Sequence, residues 1–366
     1  MTTPIATSDQ RAVPPLPGFP SEPRTFGTFA GVFAPTLLTI LGVIMYLRLP
    51  WVVGNAGLLG GLAIIGLAVG ITAATGLSLS SIATNTRIGA GGPYAIISKS
   101  LGFEIGGSVG VPLYLSQALV VAMYIFGLRE GWNWIFPAHP PILVDLIAFA
   151  TIIGIAYVSA DLAFRIQYVI LAIIIASLVA VLGNLGVWNS GTAIHLVGDY
   201  QGGPEDGFSG TTFWAVFAVF FPAATGIMAG ANMSGELRNP RKSIPLGTLS
   251  AIGISTVIYV ALAVWSAKAA DPGMLTSNYT IMADRSLWAP LVIAGLLGAT
   301  FSSALSSLVG APRILAALGR DRILPGGPWL SVTHGGEPRR AMLVTGVIVL
   351  AGLMTRDLNA IAPLIT

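Results

Sequence analysis

Four serines crowd one apolar stretch, GLLGATFSSALSSLVGAPR, as Ser302, Ser303, Ser306 and Ser307. Hydroxyls in such a setting have two uses. Each bonds back to its own i−4 carbonyl, or adjacent oxygens converge on a hard cation such as sodium. Two further apolar stretches carry helix breakers: LTILGVIMYL at 38–47 holds Gly42, and PAATGIMAG at 222–230 holds Pro222 and Gly226. A single Gly or Pro in a membrane helix serves close packing or a kink. A matched pair of breaks does more, because each ends one half-helix on carbonyls and starts the next on amides. Such breaks hold a cation and an anion at one depth without a charged side chain. Tyr124, in AMYIFGL, reads as an interfacial aromatic. Arg48 and Glu130 fall near segment ends, where they either reach water or pair across an entrance. No nucleophile stands beside a positioned base, so these residues speak for binding and against an enzyme.

The elements that position them are membrane helices. Of 366 residues, 54% are hydrophobic and 9% charged, against about 25% charged in soluble domains, and the mean hydropathy is +0.81. Apolar runs of the required ~20 residues recur along nearly the whole chain, which excludes a barrel of short alternating strands. The spans are expected at 29–52, 57–82, 106–129, 141–160, 163–187, 211–234, 247–269, 288–316 and 340–355, with a tenth beginning at LNAIAPLIT. Residues 1–26 read as a Pro-rich, disordered cytoplasmic tail with no signal peptide. With no Cys and three scattered His, thiolate and histidine metal sites have no basis. The net charge of +3 is small and its cations lie in loops, which argues against nucleic-acid binding. With the N-terminus inside, thirteen Lys/Arg face the cytoplasm, four face outward and Arg48 lies in a span, accounting for all 18. That bias predicts a cytoplasmic N-terminus and, with it, a multi-pass protein of the plasma membrane.

VFAPTLLTILGVI at 32–44 aligns with VFAVFFPAATGIM at 216–228, at a constant offset of 184 residues. These are the first and sixth spans, so they run in opposite directions and are punctuated at the same point. The expected fold is therefore an all-α, five-plus-five inverted repeat with broken first and sixth helices. The first repeat covers about 27–190 and an incomplete second repeat about 211–366. Apart from Arg48, spans one, six and eight carry no ionisable side chain near the middle, so a bound ion must be met by dipoles, hydroxyls or other ions. An amino-acid carboxylate on the same amides is the alternative cargo. A polyamine would want acidic residues there.

GVFAPTLLTILGVIMYLRLPWVVGNAG, GAGGPYAIISKSLGFEIGGSVG, AMYIFGLRE, FFPAATGIMAGANMSGELRNPRKSIPLGT and ATFSSALSSLVGAPRILAALGRDRI together resemble the cation-chloride cotransporters, in their sodium-coupled branch, over about residues 27–366. That resemblance implies a secondary symporter of chloride with sodium and potassium in the amino acid, polyamine and organocation superfamily, with no cofactor beyond the transported ions. It implies potassium on Thr39, Ile40, Pro222, Thr225 and Tyr124, with Thr39 standing where the family commonly has Asn. It implies sodium on Leu38, Leu41, Ala299, Ser302 and Ser303. Chloride would lie on the amides of Gly42, Val43 and Ile44, and on those of Gly226, Ile227 and Met228. Arg48 and Glu130 match an outer-gate ion pair.

Two departures from the family pattern accompany these expectations. A tenth-span Tyr that completes a second chloride site does not occur before Thr366, and the large C-terminal domain that often mediates dimerisation is not in this sequence. The expected partners are inorganic ions and lipid, with a homodimer as a further expectation. A truncated, non-transporting membrane subunit is the alternative from a different class. GAGGPY at 89–94 lacks the Gly-Lys-Ser/Thr of a phosphate loop and reads as a cytoplasmic loop before an amphipathic segment.

Overall fold

A computed structural model describes residues 26–85, 89–204, 207–334 and 336–355. The tail at 1–25 and the tenth-span stretch LNAIAPLIT lie outside the described residues. The first span opens with a π-helical turn, Phe29–Phe33, and continues as α1 (Ala34–Ile40). Leu41 and Gly42 leave the helix, with ψ of 50° and −165°, before α2 (Val43–Leu47) resumes it. α3 (Leu49–Asn85) contains a second interruption at Gly57, with φ 71° and ψ 175°, so its first turns finish span one and the rest is span two.

The backbone groups of that turn are met by a distant loop. The Leu58 and Leu59 amides donate to the carbonyls of His195 and Leu196, both at 2.9 Å, and the Gly198 and Tyr200 amides donate back to Ala56 and Asn55 at 3.1 and 3.0 Å. Buried Asn55 completes the seal by accepting from the Gly202 amide at 2.8 Å and donating to the Trp51 carbonyl at 3.1 Å.

α4 (Gly92–Leu101), α5 (Phe103–Ile135), α6 (Pro141–Val158), α7 (Ala160–Leu182) and the short α8 (Leu185–Trp188) complete the first half. The second half repeats the plan. α9 (Phe213–Phe220) passes through a 3₁₀ turn, Phe221–Ala224, to a break at Thr225 and Gly226, and α10 (Met228–Ala231) follows. Then come α11 (Pro240–Ala269), α12 (Pro272–Ser277), α13 (Ile281–Asp284), α14 (Ala289–Arg320), α15 (Gly327–Leu330) and α16 (Arg339–Met354). Eight segments among the described residues are long and apolar enough to cross a bilayer. α16, the ninth expected span, has 16 residues and lies within one residue of its expected bounds at each end.

The two most extensive helix interfaces are α3 with α11 and α5 with α14. These join span two to seven and span three to eight, always five apart, which is the pairing that a five-plus-five inverted repeat produces. The fold is that of an all-α inverted-repeat membrane protein. α14 and the first span form its centre, with 72% and 67% of their apolar windows buried, against 33–44% for the other six.

On the N-terminal face, Phe26 inserts beside the chain that leaves the sixth span. Its amide donates to the Glu236 carbonyl and its carbonyl accepts from Arg238. Arg313, near the end of α14 and grouped with the loop cations in the sequence-based orientation count, is buried here. Its guanidinium reaches Glu236 at 2.7 Å and Glu337 at 2.9 Å, and the other Glu337 oxygen accepts from the first amide of α7 at 2.8 Å. Four segments are tied by one ion cluster, which strongly resists loss of any one partner. At the opposite face, Arg129 of α5 pairs with buried Asp145 of α6 at 2.9 Å.

Gly57 occupies a region of backbone space open essentially to glycine alone, and an added Cβ would meet the Val197 carbonyl carbon at 2.6 Å. Gly57→Ala is expected to cost at least the ~1–3 kcal/mol of backbone strain, read as a lower thermal midpoint of the detergent-purified protein. An unchanged midpoint contradicts this account of the turn.

Candidate ion site

The two breaks touch. An added Cβ on Gly226, whose φ is 95°, would sit 2.5 Å from the Thr39 Cγ2, so glycine is required there both by backbone conformation and by contact. Gly42 differs, because its φ of −85° is open to any residue. Its constraint is proximity, with an added Cβ 3.2 Å from the Thr39 carbonyl and 3.9 Å from the Ser303 Oγ. The matched glycines therefore serve different needs at the same depth.

Each break leaves backbone groups that no helix can satisfy. The last amide bond of α1 runs from Leu41 to Leu37, so the carbonyls of Leu38, Thr39 and Ile40 emerge beyond it. α2 begins at Val43, which points the amides of Gly42, Val43 and Ile44 off its start. In the sixth span, Thr225 turns back to the Pro222 carbonyl through its amide at 3.2 Å and its hydroxyl at 2.7 Å. Beyond that turn come Gly226, Ile227 and Met228. The Thr39 hydroxyl likewise donates to Pro35 at 2.7 Å. Both threonine protons are thus committed, and what the oxygens present outward is lone pairs. Pro222 and Thr225 remain exposed although they lie mid-span.

α14 supplies the other wall. Ser302 and Ser303 are fully buried, and neither hydroxyl has a hydrogen-bond partner. The bonding back to an i−4 carbonyl, the usual habit of a helical serine, is absent at both. Thr300, one turn away, does bond back to Leu296 and Leu297, at 3.1 and 2.9 Å, and Ser306 accepts from Gln167 at 2.7 Å. An unmet buried hydroxyl costs about 1–3 kcal/mol, and here two are adjacent beside the first break. Ala299 is buried on the same helix, and Leu38 and Leu41 are buried on the facing one. Tyr124 is half-buried on α5, against an apolar cluster that includes Ile125, Phe126 and Leu305. Among the described residues no three His, Asp or Glu side chains gather, so neutral oxygens are what this region offers a cation.

Arg48 lies over the Tyr279 ring at 4.5 Å, and Glu130 is exposed near the end of α5. Next to them a cavity of about 260 Å³, lined by Leu47, Gly131, Tyr279 and Leu296, opens one turn above Ala299. Its wall is held by Tyr46, whose hydroxyl meets the Ser177 Oγ at 2.6 Å.

Two contributors were not picked out from the sequence. Tyr259 of α11 is buried, and its hydroxyl donates to the Ile40 carbonyl at 2.7 Å with the Ala223 carbonyl at 3.2 Å. It stitches the two breaks together. Thr72 of α3 donates to the Ala224 carbonyl at 2.9 Å. The available signal was a hydroxyl in the middle of an apolar span, without its partner. GAGGPY proves to be packing surface: Ser234 donates to the Gly89 carbonyl at 2.8 Å, and Asn232 lies against Gly92. In α4, burial and then the hydrogen bond to Asp321 push the Tyr94 hydroxyl up to about 12.

Residues 31–365 match the family model for amino acid permeases. The chain belongs to the amino acid permease family. It is 35% identical to solute carrier family 12 member 2 of Squalus acanthias, over 93% of this chain and 33% of that protein. It is 34% identical to member 1 of Rattus norvegicus, over 93% and 36%, and 35% identical to member 9 of Mus musculus, over 95% and 43%. The chain spans about a third to two-fifths of the length of these relatives. MhsT, solved in complex with L-phenylalanine, shares the fold with a TM-score of 0.54 at 16% identity, over 91% of this chain and 80% of that one. The family is one of multi-pass membrane transporters and not of enzymes.

Tyr259→Phe removes a hydroxyl that spans both breaks and is expected to destabilise the protein by about 1–3 kcal/mol. The check is thermal unfolding alongside Tyr124→Phe, which lacks this bridge and is expected to shift less.

Proposed function

We propose that the chain is a secondary symporter of chloride with sodium and potassium, working by alternating access around the two breaks. The observation that carries the reading is the pair of buried, unpartnered hydroxyls of Ser302 and Ser303 beside Gly42. A sodium ion held there by these two oxygens and the carbonyls of Leu38, Leu41 and Ala299 relieves that deficit with hard ligands. Potassium binds across the breaks to Thr39, Ile40, Pro222 and Thr225, with the Tyr124 hydroxyl closing the shell. Chloride takes the amides of Gly42, Val43 and Ile44 and those of Gly226, Ile227 and Met228, where the half-helix dipoles favour an anion.

Coupling follows from the lack of fixed countercharge. Ions of opposite sign ~4 Å apart attract by about 4 kcal/mol at an effective dielectric of 20, so the fully loaded and empty forms reorient and the half-loaded forms do not. Arg48 and Glu130 close the outer entrance, and the N-terminal face, where the basic loops gather, is cytoplasmic at the plasma membrane. Two copies pairing as a homodimer complete the reading.

In proteoliposomes the chain is expected to take up sodium and rubidium only with chloride present. Ser302→Ala with Ser303→Ala is expected to abolish all three fluxes together, by tenfold or more. Chloride uptake indifferent to both cations contradicts the reading, and chloride-independent uptake of an amino acid replaces it with the permease alternative.

A further inference from the structure

On the side of the breaks away from Ser302 and Ser303, α3 and α11 enclose a cavity of about 10 Å³, room for one water-sized occupant. Thr72, Ser255 and Tyr259 line it together with Ile40 and Ala224, and the apolar side chains of Val69 and Ile252 close it. The three hydroxyl residues are 6%, 3% and 0% exposed, so the pocket is removed from both lipid and bulk water.

The proton count decides what fits. The Thr72 hydroxyl donates to Ala224 at 2.9 Å, Ser255 donates to Ile252 at 3.0 Å, and Tyr259 donates to Ile40 at 2.7 Å. Each hydroxyl has a single proton, and all three are spent on carbonyls. The amides of α3 and α11 around the pocket belong to helix ladders. The cavity therefore presents oxygen lone pairs and no donor. An anion has nothing to hold it. A water could donate its two hydrogens but would find no donor for its own oxygen, which leaves it at the low end of the two to four bonds that buried waters make. A bare cation needs oxygens only, and hard neutral oxygens suit an alkali ion. Four neutral oxygens are fewer than the larger potassium ion gathers around itself, and suit sodium or lithium.

We propose that this pocket is a second site for a sodium-sized monovalent cation, ligated by the Thr72, Ser255 and Tyr259 oxygens and the Ala224 carbonyl. The ion secures the broken helices to the α3–α11 pair from behind, while the transported ions occupy the other side. The proposal goes beyond the symport reading and does not rest on it.

The test is equilibrium binding of radioactive sodium to the purified 366-residue chain, in chloride-free gluconate buffer balanced with choline. Ser302→Ala with Ser303→Ala is expected to keep one sodium per chain, displaced by lithium and not by equal potassium. Adding Thr72→Val and Ser255→Ala is expected to remove that sodium. Thr72→Ser, which retains the oxygen, is expected to keep it. A wild-type chain that binds one sodium, lost only with Thr72→Val and Ser255→Ala, supports this site while refuting sodium at Ser302 and Ser303. If Ser302→Ala with Ser303→Ala leaves no bound sodium, if potassium competes as well as lithium, or if Thr72→Ser loses binding as Thr72→Val does, the proposal is overturned.

Discussion

Backbone amides and carbonyls inside a bilayer have no water to turn to, so a chain that interrupts a helix there must meet the freed groups in another way. The structure is organised around that constraint. Tyr259 reaches from α11 to carbonyls of both breaks, and Thr72 reaches from α3 to a third. The two helices that supply these hydroxyls form the most extensive interface in the fold. On the other side, the unpartnered hydroxyls of Ser302 and Ser303 on α14 lie beside the first break, where an added Cβ on Gly42 would sit 3.9 Å from the Ser303 Oγ. The scaffold thus caps the Ile40, Ala223 and Ala224 carbonyls from the α3–α11 side.

The same division explains where charge is found. Ionisable side chains are held away from the breaks, in the Arg313 cluster on one face and the Arg129–Asp145 pair towards the other. The Arg313 cluster joins the chain after the sixth span to the end of α14, the start of α7 and the segment before α16. In the proposed symport, a central site without fixed charge stays neutral only when its bound ions balance in sign.

Much of this was legible in the sequence, for a physical reason. Hydropathy located the spans because a membrane helix must be apolar along its length, and α16 (Arg339–Met354) lies almost where 340–355 was expected. The breaks were legible because Gly42 and Gly226 recur at matched positions in inverted halves. Ser302 and Ser303 were legible as a pair, but only geometry could show that they lack the back-bond that Thr300 makes. Tyr259, Thr72 and the burial of Arg313 were not legible. Each depends on a partner far along the chain, 219 residues away for Tyr259 and Ile40, and a lone hydroxyl or cation does not announce which carbonyl or carboxylate it meets. Gly57 was hidden differently, since an expected boundary between spans says nothing of the loop near 195–200 that closes over it.

The central claim is that the two breaks are the ion site. Anomalous diffraction from crystals grown in rubidium bromide tests it most directly, with rubidium standing for potassium and bromide for chloride. The account predicts a rubidium peak within coordination distance of Ile40 and Thr225, and a bromide peak against the amides of Gly42–Ile44 or Gly226–Met228. Ordered rubidium and bromide found elsewhere, with both breaks empty, would contradict it.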